Sequence, residues 1–190
     1  WFAQKTKALF NLGHWPECYE LSKKALETFE IFHYGNESWF ARRIALAKKN
    51  LGNPSEAISE LKTILKRKQE WFIQKEIAEL LFDENDIENA FLYAIQAITN
   101  FGPLEFKVDL LLLLGKILTK KNESELAYKH YSLSKIIRQN EGWPIKHELI
   151  ETLQSFDYTE LKQEEISKIK NELKTYWSSF KKKSHTKTTS

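Results

Sequence analysis

A single spacing frame recurs four times in this chain, and few folds can satisfy it. Small residues at Cys18, Ala57, Ala90 and Ala127 each follow a turn-like segment: Trp15-Pro16-Glu17, Asn53-Pro54-Ser55-Glu56, Asp86-Ile87-Glu88-Asn89 and Glu123-Ser124-Glu125-Leu126. Twelve residues before each lies Thr6, Ala45, Ala78 or Gly115, and seven after lies Ala25, Ile64, Ala97 or Ser134. Successive frames are offset by 39, 33 and 37 residues. Repetition at this scale is the signature of a stacked-repeat architecture.

The frame has a mechanical meaning. Apolar residues on both sides of each turn keep helical spacing, as in Ile77-Ala78-Leu81 and Ala57-Leu61-Ile64. Each frame therefore predicts two antiparallel helices that approach closely where the small residues cross, with larger side chains filling the gaps. Breakers fall between the helices at Gly13, Gly52-Asn53-Pro54, Asn85-Asp86 and Asn122. Pro16 and Pro54 suit the first turn of a helix, where an N–H is not needed. With only 6 Gly and 4 Pro in 190 residues, the chain lacks the turn residues of a β-sandwich or barrel.

On these residues the chain resembles the tetratricopeptide repeat (TPR) family, whose units repeat about every 34 residues with Leu-Gly in the first helix. Leu114-Gly115, Ala25-Leu26 and the turns Gly13-His14-Trp15 and Gly52-Asn53-Pro54 carry the likeness, which covers roughly residues 1–140. The resemblance implies an all-α, right-handed superhelical solenoid of four helical hairpins, at about 1–34, 37–70, 71–102 and 104–140, plus a C-terminal capping helix pair. Only one unit keeps the Leu-Gly pair. Two offsets exceed the family period, so extra residues are expected in 29–37 and 100–107, as a longer second helix or a longer loop.

After residue 140 the frame is lost. Gly142 and Pro144 predict a break and a new helix to about Phe156. A long helix is expected from an N-cap at Thr159 to near Phe180, burying Leu161, Ile166, Ile169, Leu173, Tyr176, Trp177 and Phe180. Residues 141–180 read as the cap that an open solenoid needs, and 181–190 as a basic tail or linker. The chain opens on Trp1 inside its first expected helix and contains no methionine, which reads as a segment of a longer protein.

Charge and chemistry narrow the function. The net charge is +3, but 181–190 hold four lysines and no acid, and removing them leaves −1 for the body. A body-wide nucleic-acid-binding field is therefore not expected. Cys18 is the single cysteine, so no intrachain disulfide forms, and a reducing, cytoplasmic setting is the simplest expectation. The longest apolar run, 110–114, is far too short to span a bilayer. No phosphate loop, dinucleotide fingerprint or nucleophile elbow occurs, and His14, His33, His130, His147 and His185 are scattered without metal-ligand spacing. His14 and Cys18 read as turn and packing residues, and 83–86 as a solvated acidic turn without the alternation of a calcium loop. No catalytic residue, cofactor or metal is expected, and the chain reads as a non-enzyme.

The TPR resemblance implies a concave groove lined by the first helix of each pair. Extrapolated from the crossing residues, the partner-binding candidates are Lys7, Trp39, Arg42, Arg43, Phe72, Lys75 and Lys116, with Phe10, Lys49, Glu76 and Glu79 on the same face. This is a mixed surface with a basic lean, suited to charge-assisted hydrogen bonds and aromatic anchoring. Packing of Trp39 and Phe72 against a neighbouring unit is the competing reading. The set with which chaperone-binding TPR proteins hold a peptide carboxylate is not matched: its places hold Ala3, Lys7, Arg43, Phe72 and Glu76. A protein-interaction scaffold with a protein or peptide partner is thus the leading expectation. The alternative is an accessory region of a nucleic-acid-associated protein, since residues 71–177 also resemble TPR segments of bacterial proteins that carry a cold-shock-like domain. No membrane partner is expected, and oligomeric state is not specified by these residues.

Overall fold

The backbone solves the same problem five times, and that repetition organises the molecule. In the computed structural model, which describes residues 1–29, 36–159, 161 and 165–181, Gly13, Gly52, Asn85, Asn122 and Gly142 all have positive φ. Each is followed by the same bond pair. Gly13 N donates to Phe10 O and His14 N to Leu9 O; Asn122 N donates to Thr119 O and Glu123 N to Leu118 O. These are Schellman closures, in which a left-handed residue ties off the last carbonyls of a helix. Asparagine tolerates that conformation through its short polar side chain, which explains why units without a turn glycine still close.

The helices so punctuated are α1 (Phe2–Asn11), α2 (Trp15–Thr28), α3 (Asn36–Asn50), α4 (Pro54–Arg67), α5 (Trp71–Asp83), α6 (Ile87–Thr99), α7 (Val108–Lys120), α8 (Ser124–Asn140), α9 (His147–Gln154) and α10 (Ile166–Lys181). No strand occurs among the described residues. The fold is all-α and of the TPR-like helical-repeat class. Every frame residue is buried, from Thr6, Cys18 and Ala25 to Gly115, Ala127 and Ser134.

Two compact units result, Trp1–Leu80 and a second that begins at Leu81. In the first, α1 packs on α2, α2 on α3 and α3 on α4, with α1 also touching α3. Thr6 is buried where α1 meets α2, and the Cys18 thiol donates to its carbonyl at 3.5 Å. Burial pushes the Cys18 thiol up, so this cysteine is a packing residue, not an activated nucleophile. In the second unit, α6 packs on α7, α7 on α8 and α8 on α9. Gly115 is required there: a Cβ would lie 2.5 Å from the Tyr131 ring.

Some expectations need correction. The described part of the last helix runs from Ile166, and neither Thr159 nor Leu161 is helical. Thr159 offers its carbonyl to the Tyr128 hydroxyl of α8 at 3.0 Å. Of the face expected to be buried, Ile169, Leu173 and Trp177 are, whereas Tyr176 and Phe180 are half-buried. Moreover, α10 lies against both α6 and α8, because Phe180 meets Phe91 edge-on and Trp177 bonds His130. The extra residues at 100–107 form a loop and a 3-10 turn, Leu104–Lys107. The extra residues expected in 29–37, the start of the last helix at 160–164 and the tail beyond 181 lie largely outside the described residues.

Candidate partner-binding face

The early turns of α3 and α5 bring four side chains together in the first unit. Trp39 and Arg42 are three residues apart on α3, so both project from one face; Phe72 and Glu76 do the same on α5. The Trp39 and Phe72 rings stack at 4.8 Å between centroids with 6° between planes. The Arg42 guanidinium lies 5.4 Å from the Trp39 ring and 5.6 Å from the Phe72 ring. Its Nη2 donates to Glu76 Oε1. A cation against two aromatic faces, fixed at one edge by a carboxylate, is a rigid arrangement of the kind guanidinium geometry favours. Trp39 remains 37% exposed, while the Arg42 and Glu76 side chains are 22% and 13% exposed.

The other candidates are placed differently. Arg43, next to Arg42, turns toward α1 and donates to Thr6 Oγ1 at 2.8 Å, with its guanidinium 6.0 Å from the Phe40 ring. Burial holds its pKa below the usual arginine value. It fastens α1 to α3. Lys75 bonds Glu79 on its own helix at 2.7 Å. Lys7 is exposed on α1. Lys116 belongs to the second unit and pairs with Glu148 at 2.7 Å. So Trp39, Arg42 and Phe72 converge, whereas Lys7, Arg43, Lys75 and Lys116 each sit elsewhere.

Glu76 neutralises Arg42 and Glu79 neutralises Lys75, so the converged face offers an aromatic surface more than a charge. One signal for the Arg42–Glu76 pair was present: the residues are 34 apart, and Trp39 and Phe72 are 33 apart, close to one repeat period. Among the described residues, no three His, Cys, Asp or Glu side chains are placed to hold a metal ion, and no helix is long and apolar enough to cross a membrane.

A family model for a domain of unknown function, DUF7017, matches residues 38–179, most of the chain. The chain belongs to the DUF7017 family. The DUF7017 region starts one residue before Trp39, so the stacked pair, Arg42, Glu76 and nearly all of α10 lie inside it, while α1 and α2 precede it. A search of curated proteins finds no match. Among solved structures, the DUF7017 chain is similar to one reported under the functional characterisation of PilF from Pseudomonas aeruginosa, with a TM-score of 0.61 and 16% identity over 82% of this chain. It spans 65% of that chain's length. It is also similar to the crystal structure of MamA, with a TM-score of 0.54, 15% identity, and coverage of 78% of this chain and 90% of the other. Both contain tetratricopeptide-type repeats. At such identities the likeness carries the fold alone.

Proposed function

We propose that this DUF7017 chain is a non-catalytic scaffold that binds a protein partner in a groove along its first helices, anchored in the first unit by the α3–α5 face. The observation that carries this reading is the half-open Trp39–Phe72 stack with Arg42 held against both rings. Aromatic residues with an exposed edge and a fixed geometry are the usual anchors of protein interfaces. Because Arg42 and Lys75 already have carboxylate partners, the face favours an apolar side chain from an extended or helical peptide over an anion. Helical-repeat proteins use such surfaces for protein recognition. The single buried thiol fits a cytoplasmic protein.

Panning a phage-displayed peptide library against the intact chain tests this. Enriched peptides should carry a large apolar residue, bind with a shallow salt dependence, and be lost with Trp39→Ala but retained with Lys7→Ala. Peptides indifferent to Trp39→Ala would sink the assignment of this face. The accessory nucleic-acid reading, with a cold-shock-like domain elsewhere in a longer protein, predicts instead single-stranded RNA binding that falls steeply with salt.

A further inference from the structure

The Trp39–Phe72 stack carries one polar group that its own neighbours do not use. The indole Nε1–H of Trp39 has no acceptor among the described residues, and the residue is 37% exposed. The charged groups of the same face are satisfied within the chain: Arg42 donates to Glu76 and Lys75 to Glu79. Trp71, next to Phe72 in sequence, stands edge-on to the Phe72 ring at 6.0 Å and 82°, which extends the aromatic surface beyond the stacked pair. The face therefore combines three rings, closed ion pairs and one unused N–H donor.

That donor is held in direction. The Trp39 ring lies 4.8 Å from Phe72 and 5.4 Å from the Arg42 guanidinium, so the indole cannot turn away without giving up both contacts. A partner that bonds it costs little side-chain freedom. Tryptophan suits such a place because one ring supplies apolar area and a polar tip together.

Donor and surface together select the chemistry of the partner. A docked α-helix has its carbonyls bonded internally along its length, and an apolar side chain carries no acceptor. An amphipathic helix would thus cover the indole N–H without pairing it, which is unfavourable. A β-strand adds to a strand edge, which α3 and α5 do not provide. A polyproline II segment has no internal hydrogen bonds, so its carbonyls are free to accept, and its apolar rings are ordered before binding. Closed ion pairs on the face match an uncharged segment of this kind.

We propose that the Trp39–Phe72 face binds a proline-rich polyproline II segment of a partner protein, with the Trp39 indole N–H donating to a partner backbone carbonyl and the rings packing on proline and one large apolar side chain. This rests on the reading of the α3–α5 face as the protein-binding site and names the chemistry of its partner.

The test is titration of the full chain with two short, end-blocked peptides of equal length. One is made of prolines with a central leucine; the other is alanine-rich, helical and also carries a leucine. Binding is followed by calorimetry and by the Trp39 indole N–H signal in NMR. The proline peptide should bind about tenfold more tightly than the helical one or better, and the Trp39 signal should move downfield as its N–H gains an acceptor. Trp39→Phe keeps a ring in the stack but removes the donor, and should weaken the proline peptide by about tenfold. Circular dichroism checks that this variant folds; if it does not, the signal shift in the unaltered chain decides. A proline peptide that does not bind, or that binds without moving the Trp39 signal, would overturn the proposal. Binding of the helical peptide alone, lost with Trp39→Ala, would remove the polyproline assignment and leave the face standing. Library peptides indifferent to Trp39→Ala would remove both.

Discussion

Trp177 on α10 donates its indole N–H to Nε2 of His130 on α8 at 2.9 Å, inside a fully dry contact. His130 Nδ1 lies 2.7 Å from Leu126 O, so the imidazole carries its proton on Nδ1 and accepts at Nε2. The ring is neutral in the folded chain because both nitrogens are spoken for and no solvent reaches it.

This pair makes the second unit acid-sensitive. Burial pushes His130 from 6.5 down to about 4. The unfolded chain therefore binds this proton first as pH falls, so the contribution is complete above about 6.5 and is lost between there and about 4. Urea melts should lose roughly 3 kcal/mol from this residue over that window. A His130→Gln variant should lack that part of the slope, and an identical slope would refute the assignment.

Replacing Trp177 by phenylalanine keeps most of the apolar area but leaves Nε2 of a buried imidazole without its donor. A loss of about 1–3 kcal/mol is expected. Thermal melts at pH 7.5, where His130 is neutral in both states, isolate the hydrogen bond from the titration.

Gly115→Ala should cost about 1–3 kcal/mol through overpacking against Tyr131. Combining it with Tyr131→Leu should recover part of that loss, because the clash partner is the ring. Strict additivity of the two changes in denaturant melts would mean that the close approach does not constrain the fold.

Glu76→Gln leaves Arg42 against two rings without its carboxylate, and should destabilise by about 1–3 kcal/mol. Arg42→Met together with Glu76→Met should cost less than the sum of the two single changes. A double-variant cycle by urea denaturation measures this coupling; a value near zero would show that the pair is incidental.

Asn122→Ala should cost about 1 kcal/mol, because alanine pays for the left-handed conformation that asparagine tolerates. Asn122→Gly should be neutral or slightly stabilising. The same loss in both variants would point away from backbone conformation as the cause.

The helix pairs were readable because close packing restricts which residues can stand at a crossing. Thr6, Ala45, Ala78 and Gly115 are small, regularly spaced and buried, and the breakers at Gly13, Gly52, Asn85 and Asn122 mark the closures. Side-chain direction was less readable. Arg42 and Arg43 are sequence neighbours, yet one lies on aromatic rings and the other reaches Thr6, because successive helical positions face about 100° apart and only the location of α1 decides what Arg43 meets. The neutralisation of Lys75 by Glu79 follows from i,i+4 spacing and could have been read.

The docking of α10 also orders events in time. Most packing in the second unit joins helices that are adjacent along the chain, and such neighbours can associate as soon as each emerges from the ribosome. The bonds from Trp177 to His130 and from Lys181 to Thr99 instead span 47 and 82 residues. They close only after synthesis has passed residue 181, so the apolar surfaces of α6 and α8 that receive Phe180 and Trp177 stay uncovered while α7, α8 and α9 are already assembling. During translation this surface is open to chaperones and to mispairing with a second nascent chain.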